Sequence, residues 1–349
     1  MKRRTLMAVV TLLAMVLTGC GGKSDKSVTT KAGEPEYTIK VTHYLGEQHI
    51  IGRGLVELKK LIEEKTDGRV EVELHLSGTL GASDEENLNL LMNGSAQIAA
   101  VSPYLMTQGA GIGDFNIYEL PYIFHSFDEM FAVVDGPLGQ EINEKVSEST
   151  NAMVMGFYSN GEIAIIDTGK AIHAPEDLHG MNLRTAEAAL NIDIIDAMGG
   201  SPTPLTYSEC YTALQQKTID GVVVSVPLMY NDKLYEVCDY LTLTRQSFPG
   251  YVLLMNKKFY NDLPEDLQQA VSEACTEMVQ YARNLGVTET ESAAQAMADE
   301  GVKVNALTEE ELDAFREAVQ PVIEKYSSEL SEGTYEKLME ELERIRSNE

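Results

Sequence analysis

This 349-residue chain contains six histidines and four cysteines, residue types that often take part in catalysis or metal binding. The histidines show no HxxH or HExxH spacing, the arrangement that lets two side chains on one helix face bind zinc. Neither GxSxG nor SxxK occurs, so the common patterns around an activated serine are missing. The phosphate-binding patterns GxxxxGK[ST] and GxGxxG are missing as well. We therefore predict no metal, no cofactor and no catalysis, and the alternative from the enzyme class is a secreted lipoprotein hydrolase.

The charge balance narrows the choice of partner. The chain carries 27 basic and 55 acidic side chains, a formal net charge of −28. Such an acidic protein repels a polyanion, which excludes nucleic acid as a partner. It also repels a small anion at long range, so a site for an anionic ligand must contain a local cation. A buried arginine is the expected local cation.

The N-terminus has the pattern of a secretory signal. Lys2, Arg3 and Arg4 precede an apolar run at 6–17 that is short for a membrane-spanning helix. The run ends in the sequence LTGC, which resembles the lipobox at which bacterial lipoproteins are cleaved and diacylated. We predict a lipoprotein signal peptide at 1–19, an acylated Cys20 inserted in the lipid bilayer, and a polar, flexible tether at 20–36. The protein would then be extracytoplasmic, anchored to the outer face of the cytoplasmic membrane or held in the periplasm.

The three other cysteines suggest neither a disulfide framework nor a metal cage. Cys210, Cys238 and Cys275 are widely spaced and form no CxxC pair. At most one disulfide bridge could form among them.

Hydrophobic periodicity predicts an α/β chain, and the length after the tether exceeds what one hydrophobic core usually serves. Strands are predicted at 37–42, 69–76, 96–101, 152–157, 162–167, 181–184, 222–226 and 250–255. Helices are predicted at 50–64, 84–93, 186–198, 207–217, from Pro264 to about 299, from a Thr308 and Glu311 capping box to 326, and as a surface helix from Thr334. The Asn160-Gly161 turn signal marks a point where the chain changes domain.

Several short blocks in a fixed order give the chain a family resemblance. They are EKTDG at 64–68, GTLG at 78–81, NGSAQI at 93–98, LPYIF at 120–124, DGPLG at 135–139, APEDLHGMNLR at 174–184, GGSPTP at 199–204, YSECYTALQQ at 207–216 and IDG at 219–221. In this order and spacing they resemble the DctP-type solute-binding proteins of tripartite ATP-independent periplasmic (TRAP) transporters.

The resemblance implies a two-lobed periplasmic-binding-protein fold. Two mixed α/β domains would be joined by hinge strands and a long domain-spanning helix, and would close around a ligand. We expect lobe I at 37–160 plus 251–288 and lobe II at 161–250 plus 289–349. The protein would deliver a small carboxylate to the subunits of an ion-driven TRAP permease.

The resemblance also implies the ligand-binding residues. Arg184 matches the arginine that forms a salt bridge with the ligand carboxylate, for which a planar guanidinium is suited. Tyr207 matches an aromatic position of the pocket. Gln48 and His49 match positions in the first strand-to-helix loop, and Ser102 matches a loop position after the strand at 96–101.

Two departures from the family pattern affect the expected ligand. Many members carry a second arginine shortly after an Asn-Gly turn, where this chain has Glu162. They also often have Gln-Glu-Asn before a proline, where this chain has VVVSVP at 222–227. Ser225 is expected to substitute for the amide. A monocarboxylate with a hydroxylated or apolar remainder therefore fits at least as well as a dicarboxylate, because a second buried carboxylate would need another partner.

The ligand and one alternative function stay open at this point. A four-carbon dicarboxylate, a sugar acid and sialic acid are all compatible with the sequence. A receptor that presents its ligand to a membrane sensor kinase cannot be distinguished from a transport receptor by these residues.

Overall fold

The computed structural model describes residues 34–347. The predicted signal peptide, Cys20 and nearly all of the predicted tether lie outside these residues. The strands are β1 (Tyr37–Thr42), β2 (Val70–His75), β3 (Ile98–Val101), β4 (Ala152–Ser159), β5 (Ile163–Asp167), β6 (Asn182–Thr185), β7 (Ser201–Pro204), β8 (Gly221–Ser225), β9 (Tyr240–Leu243), β10 (Gly250–Asn256) and β11 (Lys303–Ala306).

Helices flank these strands along the chain. They are α1 (Ile50–Lys65), α2 (Asp84–Met92), α3 (Pro103–Gln108), α4 (Phe127–Asp135), α5 (Pro137–Ser149), α6 (Ala189–Ala197), α7 (Cys210–Gln215), α8 (Val226–Asn231), α9 (Lys257–Asp262), α10 (Glu265–Asp299), α11 (Glu309–Ala318), α12 (Gln320–Ser327) and α13 (Thr334–Arg346).

The strands form two mixed sheets. The first sheet has the order β2-β1-β3-β10-β4, and the second has the order β11-β9-β5-β8-β6-β7. In the first sheet β1, β2 and β3 run parallel, while β10 lies antiparallel to β3 and β4. All residues of β3 and β10 are buried, as expected for central strands covered on both faces. The predicted mixed α/β two-domain fold is thereby confirmed.

The chain passes between the two sheets at three places. The first passage joins β4 to β5, the second joins β9 to β10, and the third is the helix α10, which leads to β11. The passages are tied together by hydrogen bonds from Asn160 N to Pro249 O at 3.1 Å and from Glu162 N to Thr290 Oγ1 at 3.1 Å. This bundle of connections is where one sheet could rotate relative to the other.

The helix α10 is the longest element and contacts both halves of the fold. Its 35 residues extend about 50 Å at the usual helical rise. It packs against α1 and β4 of the first half and against α8 and β11 of the second. The C-terminal helices also reach both halves, because α12 packs against α6 while α13 packs against α4 and α5. The lobe boundaries given above stay a prediction.

Most predicted elements are present, with differences at helix ends. The capping box of Thr308 and Glu311 begins α11 as predicted. The helix predicted to continue to 326 is instead broken at Val319, and α12 starts anew with Pro321 in its first turn, where the missing N–H is tolerated. The helix predicted at 207–217 begins as a 3₁₀ turn, Tyr207–Glu209, before α7. The last helix is not purely a surface helix, because Leu338 is fully buried.

The three cysteines within residues 34–347 are buried and carry free thiols. In the same range no cluster of histidine, cysteine or acidic side chains is arranged to hold a metal ion. No helix there is both long and apolar enough to cross a membrane.

Arg283 fastens α10 to the first half of the fold. Its Nε donates to Phe157 O at 2.8 Å, its Nη atoms donate to both oxygens of Asp135 at 2.5 and 2.8 Å, and its Cζ lies 4.3 Å from the centroid of the Phe131 ring. Only 6% of Arg283 is exposed. Because its guanidinium is hydrogen-bonded out of water, its removal leaves a buried carbonyl unsatisfied and a cavity in the packing.

We predict that Arg283→Ala lowers the free energy of unfolding by about 2–4 kcal/mol, because Phe157 O loses its hydrogen bond and the packing loses the side chain, whereas Asp135, which is 57% exposed, stays in contact with water. Urea denaturation measures the loss. Arg53→Ala is the matched control, because Arg53 also pairs with a carboxylate of α10, Glu289, but its side chain is 33% exposed. That substitution should cost about 1 kcal/mol or less, since solvent screens the pair. Equal losses in the two variants would show that burial of Arg283 is not what fastens the helix.

Candidate functional site

A cavity of about 330 Å³ is lined by residues from both sheets. It lies at the carboxyl ends of β3, β6 and β8. Ser102 directly follows β3, Arg184 is the next-to-last residue of β6, and Ser225 is the last residue of β8. The passages between the sheets contribute Asn160 and Gln246. Strand ends of α/β sheets are where such folds place ligands, and the volume is in the range of small-molecule sites.

Arg184 is the one basic residue among the described residues that line the cavity. Strand β6 pairs in parallel with β7 and β8, which holds Arg184 opposite Thr203 and Val222. Its Nε donates to Leu205 O at 2.9 Å, and its Cζ lies 5.6 Å from the centroid of the Tyr207 ring. It is 6% exposed, and within residues 34–347 it forms no ion pair with a carboxylate. The side chain is therefore positioned by a backbone carbonyl, and its terminal nitrogens remain available for an anion.

Three further residues predicted from the sequence line the same cavity. Tyr207 packs beside the guanidinium and donates its hydroxyl to Leu228 O at 3.2 Å. Ser225, which is 1% exposed, accepts from Asn160 Nδ2 at 3.1 Å. Ser102 donates its hydroxyl to Asp84 Oδ2 at 2.6 Å. The structure thus brings Arg184, Tyr207, Ser102 and Ser225 together.

The other two predicted residues, Gln48 and His49, are not among the residues that line this cavity. Gln48 is exposed, whereas His49 is buried at the start of α1. The Nε2 atom of His49 lies 3.3 Å from Oδ1 of Asp232, which follows α8. His49 therefore contacts the second half of the fold, and its role as a ligand residue stays a prediction.

A buried carboxyl group in the cavity was missed by the sequence reading, which treated Asp84 only as the start of a helix. Asp84 accepts from both the hydroxyl and the backbone N–H of Ser102 through Oδ2, while its Oδ1 has no hydrogen-bond partner within residues 34–347. Burial raises the pKa of Asp84 to about 7, although the bonds from Ser102 oppose the increase. The carboxyl group is therefore partly protonated near neutral pH.

His43 lies behind Asp84. Its Nδ1 accepts from Leu45 N at 2.9 Å, which leaves the proton of the neutral imidazole on Nε2, 3.9 Å from Asp84 Oδ1. Burial lowers the pKa of His43 to about 3, so the ring stays neutral at ordinary pH.

More acidic and amide groups line the cavity. Glu85, Glu119 and Glu187 join Asp84, and burial raises the pKa of Glu119 to about 7. Two amide oxygens, Asn160 Oδ1 and Gln246 Oε1, have no hydrogen-bond partner in the part of the chain that the structure describes. No short-range sequence signal marks these residues, because they come from α2, from loops and from the connections between the sheets. Within residues 34–347 the cavity thus combines one cation with several acidic and amide groups.

A cavity lined from two α/β halves, with chain passages beside it and one buried cation inside, defines a two-lobed solute-binding protein. Residues 41–329 match the DctP family, described as "Bacterial extracellular solute-binding protein, family 7", and the chain belongs to this family. The resemblance inferred from the sequence blocks is thereby confirmed at the level of the family.

Relatives and solved structures agree with this assignment. The chain is 30% identical over 298 residues to the C4-dicarboxylate-binding periplasmic protein DctP of Rhodobacter capsulatus, which covers 85% of this chain and 88% of the relative. The sugar acid binding protein of Advenella mimigardefordensis, in complex with galactonate, is 25% identical with a TM-score of 0.83, covering 89% of this chain and 99% of the other. A TRAP solute-binding protein of Sulfurospirillum deleyianum with bound succinate is 29% identical with a TM-score of 0.80, covering 87% and 99%.

The raised pKa of Asp84 gives a prediction about stability. Between the unfolded pKa of 3.8 and the folded pKa of about 7, the folded protein binds a proton at Asp84 that the unfolded chain does not bind. The contribution of Asp84 to the free energy of unfolding is therefore complete below about pH 4 and is lost as the pH rises through 7. Asp84→Asn keeps an oxygen for Ser102 and removes the titration. We predict that the variant gains about 2–4 kcal/mol relative to the wild type between pH 4 and pH 8, measured by urea denaturation without ligand.

Glu86→Gln is the control for this measurement. Glu86 lies on the same helix, is exposed, and accepts from Ala82 N, which a glutamine oxygen can also do. Its stability difference from the wild type should not change over the same pH range. A flat difference for Asp84→Asn as well would show that the carboxyl group is not protonated in the folded protein.

Proposed function

We propose that the cavity binds the carboxylate of a small organic acid through Arg184, and that the protein delivers this acid unchanged to the permease subunits of a TRAP transporter. The observation that carries the proposal is a buried guanidinium without an acidic partner in residues 34–347, lining a cavity of ligand size. An unpaired buried charge is costly, and a ligand carboxylate removes that cost.

The geometry around Arg184 suits a carboxylate. The Nε atom is used by Leu205 O, which fixes the plane of the guanidinium and leaves the two Nη atoms for the ligand. Two parallel N–H donors match the two oxygens of a carboxylate. The Tyr207 ring at 5.6 Å restricts the movement of the guanidinium.

The relatives support the same ligand chemistry. The names of the similar proteins refer to C4-dicarboxylates, galactonate and succinate, all of which carry a carboxylate. The family consists of extracellular solute-binding proteins, which supports binding and release without chemical change.

The proposed movement is a closure of the two lobes on the ligand. Arg184, Tyr207 and Ser225 come from elements of the second sheet, whereas Asp84 and Ser102 come from elements of the first. A ligand that contacts both groups favours the state in which the sheets are close together. The three passages of the chain between the sheets would serve as the hinge.

We predict that Arg184→Ala reduces affinity for the carboxylate ligand by about 2–5 kcal/mol, because the ligand carboxylate is then buried without a partner. Arg184→Lys should recover only part of this loss, since an ammonium group does not match both oxygens in one plane. Isothermal titration calorimetry measures both variants. The increase of the thermal midpoint on adding ligand should disappear in Arg184→Ala.

Arg316→Ala is the matched control for the charge change. Arg316 pairs with Glu309 and Asp313 on α11 and does not line the cavity. Its affinity should equal that of the wild type. Wild-type affinity in Arg184→Ala would overturn the proposed function, because the carboxylate would then be held elsewhere.

We also propose that acylated Cys20 anchors the protein to the membrane. The basis is the sequence pattern at 1–20 alone. Cys20→Ser should leave the protein folded and release it from the membrane fraction into the soluble fraction, since a diacylated cysteine supplies the anchor. Membrane fractionation with a high-salt wash tests this expectation. A variant that stays in the washed membranes would contradict the lipoprotein assignment.

A further inference from the structure

We infer that His49 and Asp232 form a clasp between the two halves of the fold, which strengthens ligand binding although neither side chain lines the cavity. The inference rests on the proposed function, because the clasp acts when the halves close on a carboxylate. It gives His49 a contact with another protein group, where the family resemblance implied a contact with the ligand.

The clasp joins elements that belong to different sheets. His49 directly precedes α1, which connects β1 and β2 of the first sheet, and Asp232 directly follows α8, which continues from β8 of the second sheet. The His49 Nε2 and Asp232 Oδ1 atoms lie 3.3 Å apart. Because the two residues belong to opposite halves, a separation of the halves would break this contact.

Backbone hydrogen bonds hold both residues in place. His49 N donates to Gly46 O at 3.2 Å, and His49 O accepts from Arg53 N at 3.0 Å in the first turn of α1. Asp232 N donates to Leu228 O at 3.0 Å at the end of α8. The two side chains therefore meet without the ordering of a flexible loop, which lowers the entropy cost of their contact.

Burial makes His49 depend on Asp232. His49 is 2% exposed, and its Nδ1 atom has no hydrogen-bond partner within residues 34–347. Loss of the Asp232 carboxylate would leave the buried imidazole with its other nitrogen unpaired as well, which is costly. When the halves separate, water can reach the ring and this cost disappears. The pair therefore stabilises the closed state relative to the open one.

The clasp also reaches the wall of the cavity. Leu228 lines the cavity, and its carbonyl accepts from both Asp232 N and the hydroxyl of Tyr207. Ser225, which directly precedes α8, lines the cavity as well. Asp232 therefore holds the helix against which two walls of the cavity are built. His49 and Asp232 are positioning residues, which act on the ligand through α8 and Tyr207.

A double-mutant cycle on ligand affinity tests the clasp. The probe is the tightest-binding member of a panel of small carboxylates that includes succinate and D-galactonate, titrated by calorimetry into the purified mature protein. Asp232→Asn should weaken binding by about threefold or more in the wild-type background. It should have no effect in the His49→Leu background, because a buried leucine needs no polar partner. An equal loss in the two backgrounds would overturn the inference.

Glu236→Gln is the matched control for the lost charge. Glu236 is a nearby acidic residue of the same half that pairs with Lys233 and does not line the cavity. Removal of a negative charge by itself favours an anionic probe, so this variant should bind the probe at least as tightly as the wild type does. A loss in Asp232→Asn has the opposite sign. If Glu236→Gln shows the same loss, the clasp is contradicted.

The kinetics distinguish a clasp from a general distortion of the cavity. The loss in Asp232→Asn should lie in the dissociation rate, because the clasp forms after the probe has entered the cavity. Stopped-flow tyrosine fluorescence measures both rates, since the chain has 16 tyrosines and no tryptophan. A loss confined to the association rate would count against the clasp.

The outcomes separate the clasp from the proposed function. Binding that depends on Arg184 but is equal in the wild type and Asp232→Asn would leave the proposed function intact and overturn the inference. Binding of no carboxylate in the panel, or binding that does not depend on Arg184, would overturn both.

Discussion

The Arg184 guanidinium is buried in a strongly acidic protein, and no carboxylate of residues 34–347 pairs with it. The fold keeps it in place with the carbonyl of Leu205 and the ring of Tyr207, both of which follow the strand β7 beside β6. These neutral partners position the charge without neutralising it. A carboxylate side chain in the same place would have stabilised the free protein and blocked the ligand. The free cation is thus a cost to the unliganded state that a ligand anion removes.

The order of strands explains how one cavity collects groups from distant parts of the chain. Strand β10 returns from the second sheet to lie between β3 and β4, so the connection that carries Gln246 passes beside the connection that carries Asn160. The hydrogen bond from Asn160 N to Pro249 O holds these two connections together. Asn160 and Gln246 therefore line the cavity and also belong to the connections between the sheets. Ligand contacts at these positions can influence closure directly.

The local elements could be predicted from the sequence, and the distant contacts could not. The alternation of apolar and polar residues predicted the strand at 37–42, and Thr308 with Glu311 predicted the start of a helix. Both signals could be read because each lies within a few neighbouring residues. Arg184 and Tyr207 were identified because their surrounding blocks resemble a family. Asp84 and Gln246 were missed because their role depends on burial beside residues far away in the sequence. Nothing in the local pattern separates a buried helix-start aspartate from an exposed one.

Acidic residues in the cavity are compatible with the proposed binding of an anion when their burial is considered. The carboxyl groups of Asp84 and Glu119 are held near pKa 7 by desolvation, so in the free protein they carry less negative charge than exposed carboxylates would. Asp84 and Glu119 therefore weaken the attraction between Arg184 and the carboxylate of a ligand less than fully ionised side chains would. A second carboxylate brought into contact with them would have to be desolvated beside acceptors, and it would raise their pKa further. In the proposed function, Arg184 compensates one anionic group of the ligand.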